Sequence, residues 1–185
     1  MKHGSIGVAL PYTEARIADA EDAKKSLPAG EEGELMIRGG IVMQGYHGNE
    51  KATQETIEPD GWLHTGDLAS MDDDGCVFIV DRKKDMILTA GYNVYPAEIE
   101  RVVAGHPHVA LVAVGSIPDA EKGELAKAYI VPKVGVTPSA QAIIDYCREH
   151  LAAYKVPRAV QFVEDLPKTS PGKVMRRELR TLDEH

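Results

Sequence analysis

The feature that most constrains this chain is a change of texture near residue 80. Before it, short apolar runs are cut by turn residues, and Glu34-Leu-Met-Ile-Arg38 reads as a strand. Residues 68–71 and 76–80 flank Asp72-Asp73-Asp74-Gly75, and an Asp-Gly pair between two such runs marks a hairpin. An EF-hand loop spaces its carboxylates at alternate positions and closes on Glu. This acidic run does neither and reads as a turn. Beyond residues 81–85 the pattern becomes mixed. Met86-Ile-Leu88 and Tyr92-Asn-Val-Tyr95 surround Gly91 as a second hairpin. Pro96 then opens a helix whose apolar face is Ile99, Val102 and Val103, with Gly105 at its end. Strands follow near 109–115 and 126–132. A helix after Thr137-Pro138 carries Ile143, Ile144, Cys147 and Leu151 at helical spacing. Residues 159–163 form a last strand. A Pro- and Gly-rich loop over 167–172 leads to a short terminal helix. The first part is therefore mainly β and the second α+β, with the boundary in the polar stretch 81–85.

Composition narrows the function classes. The 185 residues carry a net charge of −8, which disfavours phosphate backbones and anionic membrane surfaces. The longest apolar run, residues 109–114, falls far short of the roughly 20 residues of a spanning helix. No transmembrane segment and no nucleic-acid partner are expected. The amino terminus lacks the apolar region of a signal peptide. Two cysteines, Cys76 and Cys147, stand far apart in no paired motif, which fits a reducing cytoplasm.

Three segments hold residues suited to chemistry. In Trp62-Leu-His-Thr-Gly-Asp-Leu68, Asp67 follows a glycine at an expected strand start. A carboxylate fixed there accepts bonds from two neighbouring hydroxyls, as on a ribose, or simply caps a turn. In the second segment, Arg82, Lys83 and Lys84 form a cationic run, and Gly91 permits a positive φ or the close approach of a ligand. In Leu166-Pro-Lys-Thr-Ser-Pro-Gly-Lys-Val174, Lys173 stands at the end of a long loop beside Gly172. Such a lysine can swing into a site and neutralise charge developing on a phosphate. The Walker A frame is absent. Lys173, Arg176, Arg177 and Arg180 are expected on one helix face, where cations near a C-terminus are favourable in any case. The seven histidines show no His-Glu-x-x-His pattern, and no Gly-x-Ser-x-Gly elbow is present. His106 and His108 flank Pro107 in a loop that is a weak metal candidate.

Taken in this order, the three segments resemble the adenylate-forming superfamily, which includes acyl–CoA synthetases, firefly luciferase and peptide-synthetase adenylation domains. Asp81-Arg-Lys-Lys-Asp-Met-Ile-Leu88 and Gly91-Tyr-Asn-Val-Tyr-Pro-Ala-Glu-Ile-Glu100 are similar to bacterial medium- and long-chain fatty-acid–CoA ligases. Peptide-synthetase domains usually have Gly-Arg where this chain has Asp81-Arg82. The resemblance implies an α+β architecture. Residues 1–81 would be the β-rich, barrel-like last subdomain of the large AMP-binding domain, and residues 82–185 the mobile C-terminal domain. It implies that Asp67 and Arg82 hold the nucleotide of ATP and of the acyl-adenylate. Lys84 would be the hinge and Lys173 the lysine that enters for adenylation. Gly91, Tyr92 and Asn93 would face the coenzyme A channel.

The same resemblance implies ATP, coenzyme A and Mg2+ as cofactors, the metal bound mainly through a preceding N-terminal part. The substrate would be a fatty acid or another carboxylate. The family's phosphate loop and its Tyr-Gly-x-Thr-Glu segment should lie before Gly4 and are absent. Met1 is therefore expected to be a fragment start, and the chain alone inactive. The alternatives are a stand-alone module that completes or blocks a separately encoded AMP-binding domain, and a diverged relic.

Overall fold

The computed structural model describes residues 2–20 and 22–184. Met1, the expected fragment start, lies outside them. The chain divides into two compact units, Met1–Lys84 and Asp85–His185, each treated separately below.

The first unit is built on a four-stranded antiparallel sheet in the order β1-β2-β3-β4. Its strands are β1 (Thr13–Ala18), β2 (Gly33–Gly39), β3 (Leu63–Met71) and β4 (Val77–Arg82). The Asp72–Gly75 turn joins β3 to β4 as the Asp-Gly signal implies. Asp72 Oδ1 accepts the amides of Asp74 and Cys76 at 3.0 and 2.9 Å, and the Asp72 carboxylate pairs with Lys2. The barrel-like expectation resolves into an open sheet, with Gly7 bridged to Val77 of β4. Two small apolar clusters hold the unit. One gathers Ile17, Leu35, Ala69 and Val77. The other gathers Ala18, Met36 and Trp62, with the Arg16 and Arg38 guanidiniums 4.4 and 4.8 Å from the Trp62 ring. A short helix α1 (Glu50–Thr56) buries no residue and is capped by Asn49, whose side chain accepts the Ala52 amide.

In the second unit, β5 (Ile87–Thr89) and β6 (Tyr92–Val94) form the expected small hairpin. The long pair β7 (Val109–Asp119) and β8 (Gly123–Pro132) forms the main ladder of the sheet, with β8 central and β7 at the edge. β8 also pairs with β5 at one end and, in parallel, with β9 (Ala159–Phe162). Helices α2 (Pro96–Ala104) and α3 (Ala140–His150) pack on one face. Pro96 is at the helix start and Ser139 caps α3 through the Ala142 amide. Ile99 and Val103 from α2 and Ile143 and Cys147 from α3 meet Val114, Ala128 and Ile130 of the sheet. The alternate β8 residue Tyr129 points to the other face, against Leu166 and Leu179.

Leu179 belongs to a 3-10 helix, Arg176–Glu184, and this corrects the expectation of one cationic face. A 3-10 helix repeats every three residues, so Arg176, Leu179 and Leu182 share a side. Arg176 is turned toward Glu100 and Asp85. Arg180 reaches Ser116, Arg177 is exposed, and Lys173 lies in the loop ahead of the helix. No helix among the described residues is long and apolar enough to cross a membrane.

Candidate functional site

Asp67 stands in the middle of β3, not at a strand start. The register with β2 passes from Met36↔His64 to Glu34↔Leu68, so Leu35 alone opposes Thr65, Gly66 and Asp67. The excess residues form a bulge, a device that re-aims a side chain. Gly66 takes φ +71°, a left-handed conformation that favours glycine. The Thr65 hydroxyl fixes the bulge by donating to Leu35 O at 2.7 Å and accepting the Asp67 amide at 3.1 Å. Across the next ladder Asp67 lies opposite Arg82, and Arg82 Nε donates to Asp67 Oδ1 at 2.7 Å. Their side chains are 29% and 46% exposed, so the pair is accessible to a ligand.

Beneath this pair lies a network that the sequence reading did not single out. Glu34, 3% exposed, accepts from Lys83 Nζ at 2.8 Å and from the Gly66 amide at 3.3 Å. His64 bridges Glu34 Oε2 and Glu58 Oε1 at 3.2 and 3.0 Å. Burial opposes ionisation of Glu34, but the bonds to Lys83 and His64 outweigh it and hold its carboxyl below the ordinary range. The available signal was a charged residue inside the apolar run of β2, where Glu34 to Met36 are all buried.

Lys84 is exposed at the centre of a 3-10 turn, Lys83–Asp85, and the division between the units follows it directly. In the second unit, Ala90 and Gly91 turn the β5–β6 hairpin with φ 49° and 83°. Two successive positive φ values make the two-residue turn that suits the twist of a hairpin. Tyr92 and Asn93 are exposed, and the Tyr92 ring stacks on Tyr154 at 4.6 Å. Lys173 is exposed in a loop closed on itself. Thr169 and Lys173 exchange bonds, with the Thr169 amide donating to Lys173 O at 2.8 Å and the Lys173 amide donating to Thr169 Oγ1 at 3.1 Å. His106 is packed edge-on to Tyr146 and accepts the His108 amide, and burial pushes its pKa down. No group of three or more His, Cys, Asp or Glu suited to a metal ion occurs among the described residues.

The structure thus brings Asp67 and Arg82 into contact in one unit. Within the other, it places Lys173 in one loop and Gly91, Tyr92 and Asn93 in a separate hairpin. The comparisons with known proteins bear on the chain's family. Residues 98–173 match the family described as AMP-binding enzyme C-terminal domain, and residues 1–47 match AMP-binding enzyme. The chain belongs to the AMP-binding, adenylate-forming enzymes, whose C-terminal portion it carries.

Among relatives, it is 51% identical over 177 residues to a long-chain-fatty-acid–CoA ligase of Salmonella typhimurium, covering 96% of this chain and 31% of that protein. It is 46% identical to a 4-coumarate–CoA ligase-like protein of Oryza sativa, at 96% and 32% coverage. The chain therefore spans about a third of the length of the curated relatives it matches. Among solved structures, ATP-bound MatB from Rhodopseudomonas palustris superposes with a TM-score of 0.91 at 37% identity, over 97% of this chain and 35% of that one. The o-succinylbenzoate CoA synthetase of Bacillus subtilis with its acyl-adenylate intermediate gives 0.86 at 36% identity, over 97% and 36%.

Proposed function

We propose that this chain is the C-terminal part of an ATP-dependent fatty-acid–coenzyme A ligase. The observation that carries the reading is the bulge-mounted Asp67, paired to Arg82 yet accessible, in a chain whose other unit presents a loop lysine. A partly exposed carboxylate fits the two hydroxyls of a ribose. The guanidinium beside it fixes the direction in which that carboxylate points. These two residues would hold the nucleotide of ATP and then of the acyl-adenylate.

A carboxylate is a poor electrophile. In the first half-reaction a carboxylate oxygen attacks the α-phosphorus of ATP, pyrophosphate leaves, and a mixed anhydride forms. Lys173 would neutralise the charge that develops on the phosphate oxygens. In the second, the coenzyme A sulfur attacks the acyl carbon, the thiol proton is lost and AMP leaves. The lysine has no part there. Rotation at Lys84 would withdraw it and present the Gly91-Tyr92-Asn93 turn to the thiol. Mg2+ fits the phosphates of the first step, and the described residues hold no ligand cluster for it.

The test separates the two half-reactions in the complete ligase. Lys173→Ala is expected to lower acyl-adenylate formation by roughly 100-fold or more, while thioester formation from supplied acyl-adenylate changes less than about 2-fold. Equal loss of both steps would show that Lys173 has another role. The 185-residue chain by itself is expected to release no pyrophosphate from fatty acid and ATP.

A further inference from the structure

Lys84 has neighbours that are tied in different ways. On one side, Lys83 Nζ bonds Glu34 Oε2 at 2.8 Å. Glu34 is the buried β2 carboxylate that also accepts the Gly66 amide and meets the His64 ring. On the other side, Asp85 Oδ2 accepts from Arg176 Nη1 at 3.1 Å. The same guanidinium grips both oxygens of Glu100 on α2, at 3.1 and 2.7 Å. Lys83 is therefore anchored into the first unit and Asp85 into the second. Lys84 itself is exposed, and no hydrogen bond or ion pair of its side chain occurs among the described residues.

We infer that Lys83–Glu34 and Asp85–Arg176–Glu100 are two opposed anchors that confine rotation of the chain to Lys84. This rests on the hinge reading above and specifies what makes that residue the pivot. A peptide chain has two soft dihedrals per residue, and anchoring the residues on both sides leaves only those of the residue between. Partly buried ion pairs suit the task, because they are screened less by salt than exposed pairs.

Each anchor also lies close in sequence to the residue its unit presents, or bonds the residue beside it. Glu34 holds the amide of Gly66, next to Asp67. Arg176 follows Lys173 by three positions and leads the helix that packs Leu179 into the second core. Rotation at Lys84 would then carry the Lys173 loop as part of a rigid body. Lys83, Asp85 and Arg176 are positioning residues in this scheme, and none of them touches substrate.

The experiment is backbone amide relaxation on the 185-residue chain, read residue by residue over 82–86. The wild type is expected to show order parameters of roughly 0.85 on both sides of Lys84 and a dip at Lys84 alone. Lys83→Met is expected to widen the dip toward Arg82 only, and Lys83→Arg to restore it. Asp85→Asn is expected to widen it toward Met86 only. Arg176→Lys cuts the same link from the other end, keeps a charge for Glu100 and gives the same result. A dip that stays on Lys84 in every variant, or widens on both sides at once, overturns the anchors and leaves the hinge intact. A wild-type Lys84 as rigid as its neighbours overturns the hinge reading and the anchors with it.

Discussion

Glu34 shows how one residue can support a site without entering it. Its carboxylate is buried and still ionised, because Lys83, His64 and the Gly66 amide offset the lost hydration. Its folded pKa is depressed, so its contribution is fully present above the ordinary value of 4.5 and is lost as pH falls through the folded value. The stability of the first unit is therefore expected to fall as pH drops below about 4.5. Glu34→Gln should lower stability near pH 7 by about 1–3 kcal/mol and flatten the acid limb. The only tryptophan, Trp62, lies in this unit, so its fluorescence during denaturant melts at several pH values reads the effect. An acid limb of unchanged steepness in the variant would assign the loss to other carboxylates. Asp67 and Arg82 could be read as candidates because they sit in short, recognisable segments. Glu34 could not, since Lys83 and His64 lie 49 and 30 residues away and only the folded register gathers them.

At the scale of elements, what the sequence disclosed follows the strength of each periodic signal. Pro96 with Ile99 and Val103, and Ile143 with Cys147, mark faces that are buried in the structure. The helix α1 left no such trace, because a helix with no buried residue has no apolar face to read. The β7–β8 ladder runs past the expected ends to Asp119↔Gly123, through residues that do not alternate cleanly in burial. The bulge at Gly66 and Asp67 was equally hidden, since a two-residue excess shows only against the partner strand. The Lys173 loop was legible as a loop but not as a clasp. Its shape rests on Thr169, whose hydroxyl accepts the Lys173 amide and donates to Lys173 O at 3.2 Å. Thr169→Val keeps the branched shape and removes both bonds. In the complete ligase it is expected to slow acyl-adenylate formation by about 10-fold, equivalent to one hydrogen bond of about 1.4 kcal/mol. Thioester formation from supplied acyl-adenylate should be unchanged. Parallel assays of the two steps check this, and an equal fall in both would mean that Thr169 acts on overall folding instead.

For the molecule as a whole, a unit that rotates in catalysis has to keep its structure without help from a fixed neighbour. The cores fit that demand. Among the described residues, the clusters around Ile17 and Met36 draw only on residues before Lys84, and those around Ile99 and Tyr129 only on residues after it. Domains with their own cores can unfold as separate cooperative units, and a single two-state transition is then not expected. Ile143, fully buried between α3 and the sheet, offers a clean perturbation. Ile143→Ala is expected to destabilise the second unit by about 2–5 kcal/mol through lost burial and the cavity left behind. The transition reported by Trp62 should stay within about 0.5 kcal/mol of the wild type, because Ile143 belongs to a cluster that shares no residue with those of the first unit. Circular dichroism, which reads both units, would then resolve two steps where the wild type shows closer ones. If the Trp62 transition moved with the substitution by the same amount, the units would fold as one body. A rotation at Lys84 would then have to break a shared core, which the two-step chemistry could not sustain at every turnover.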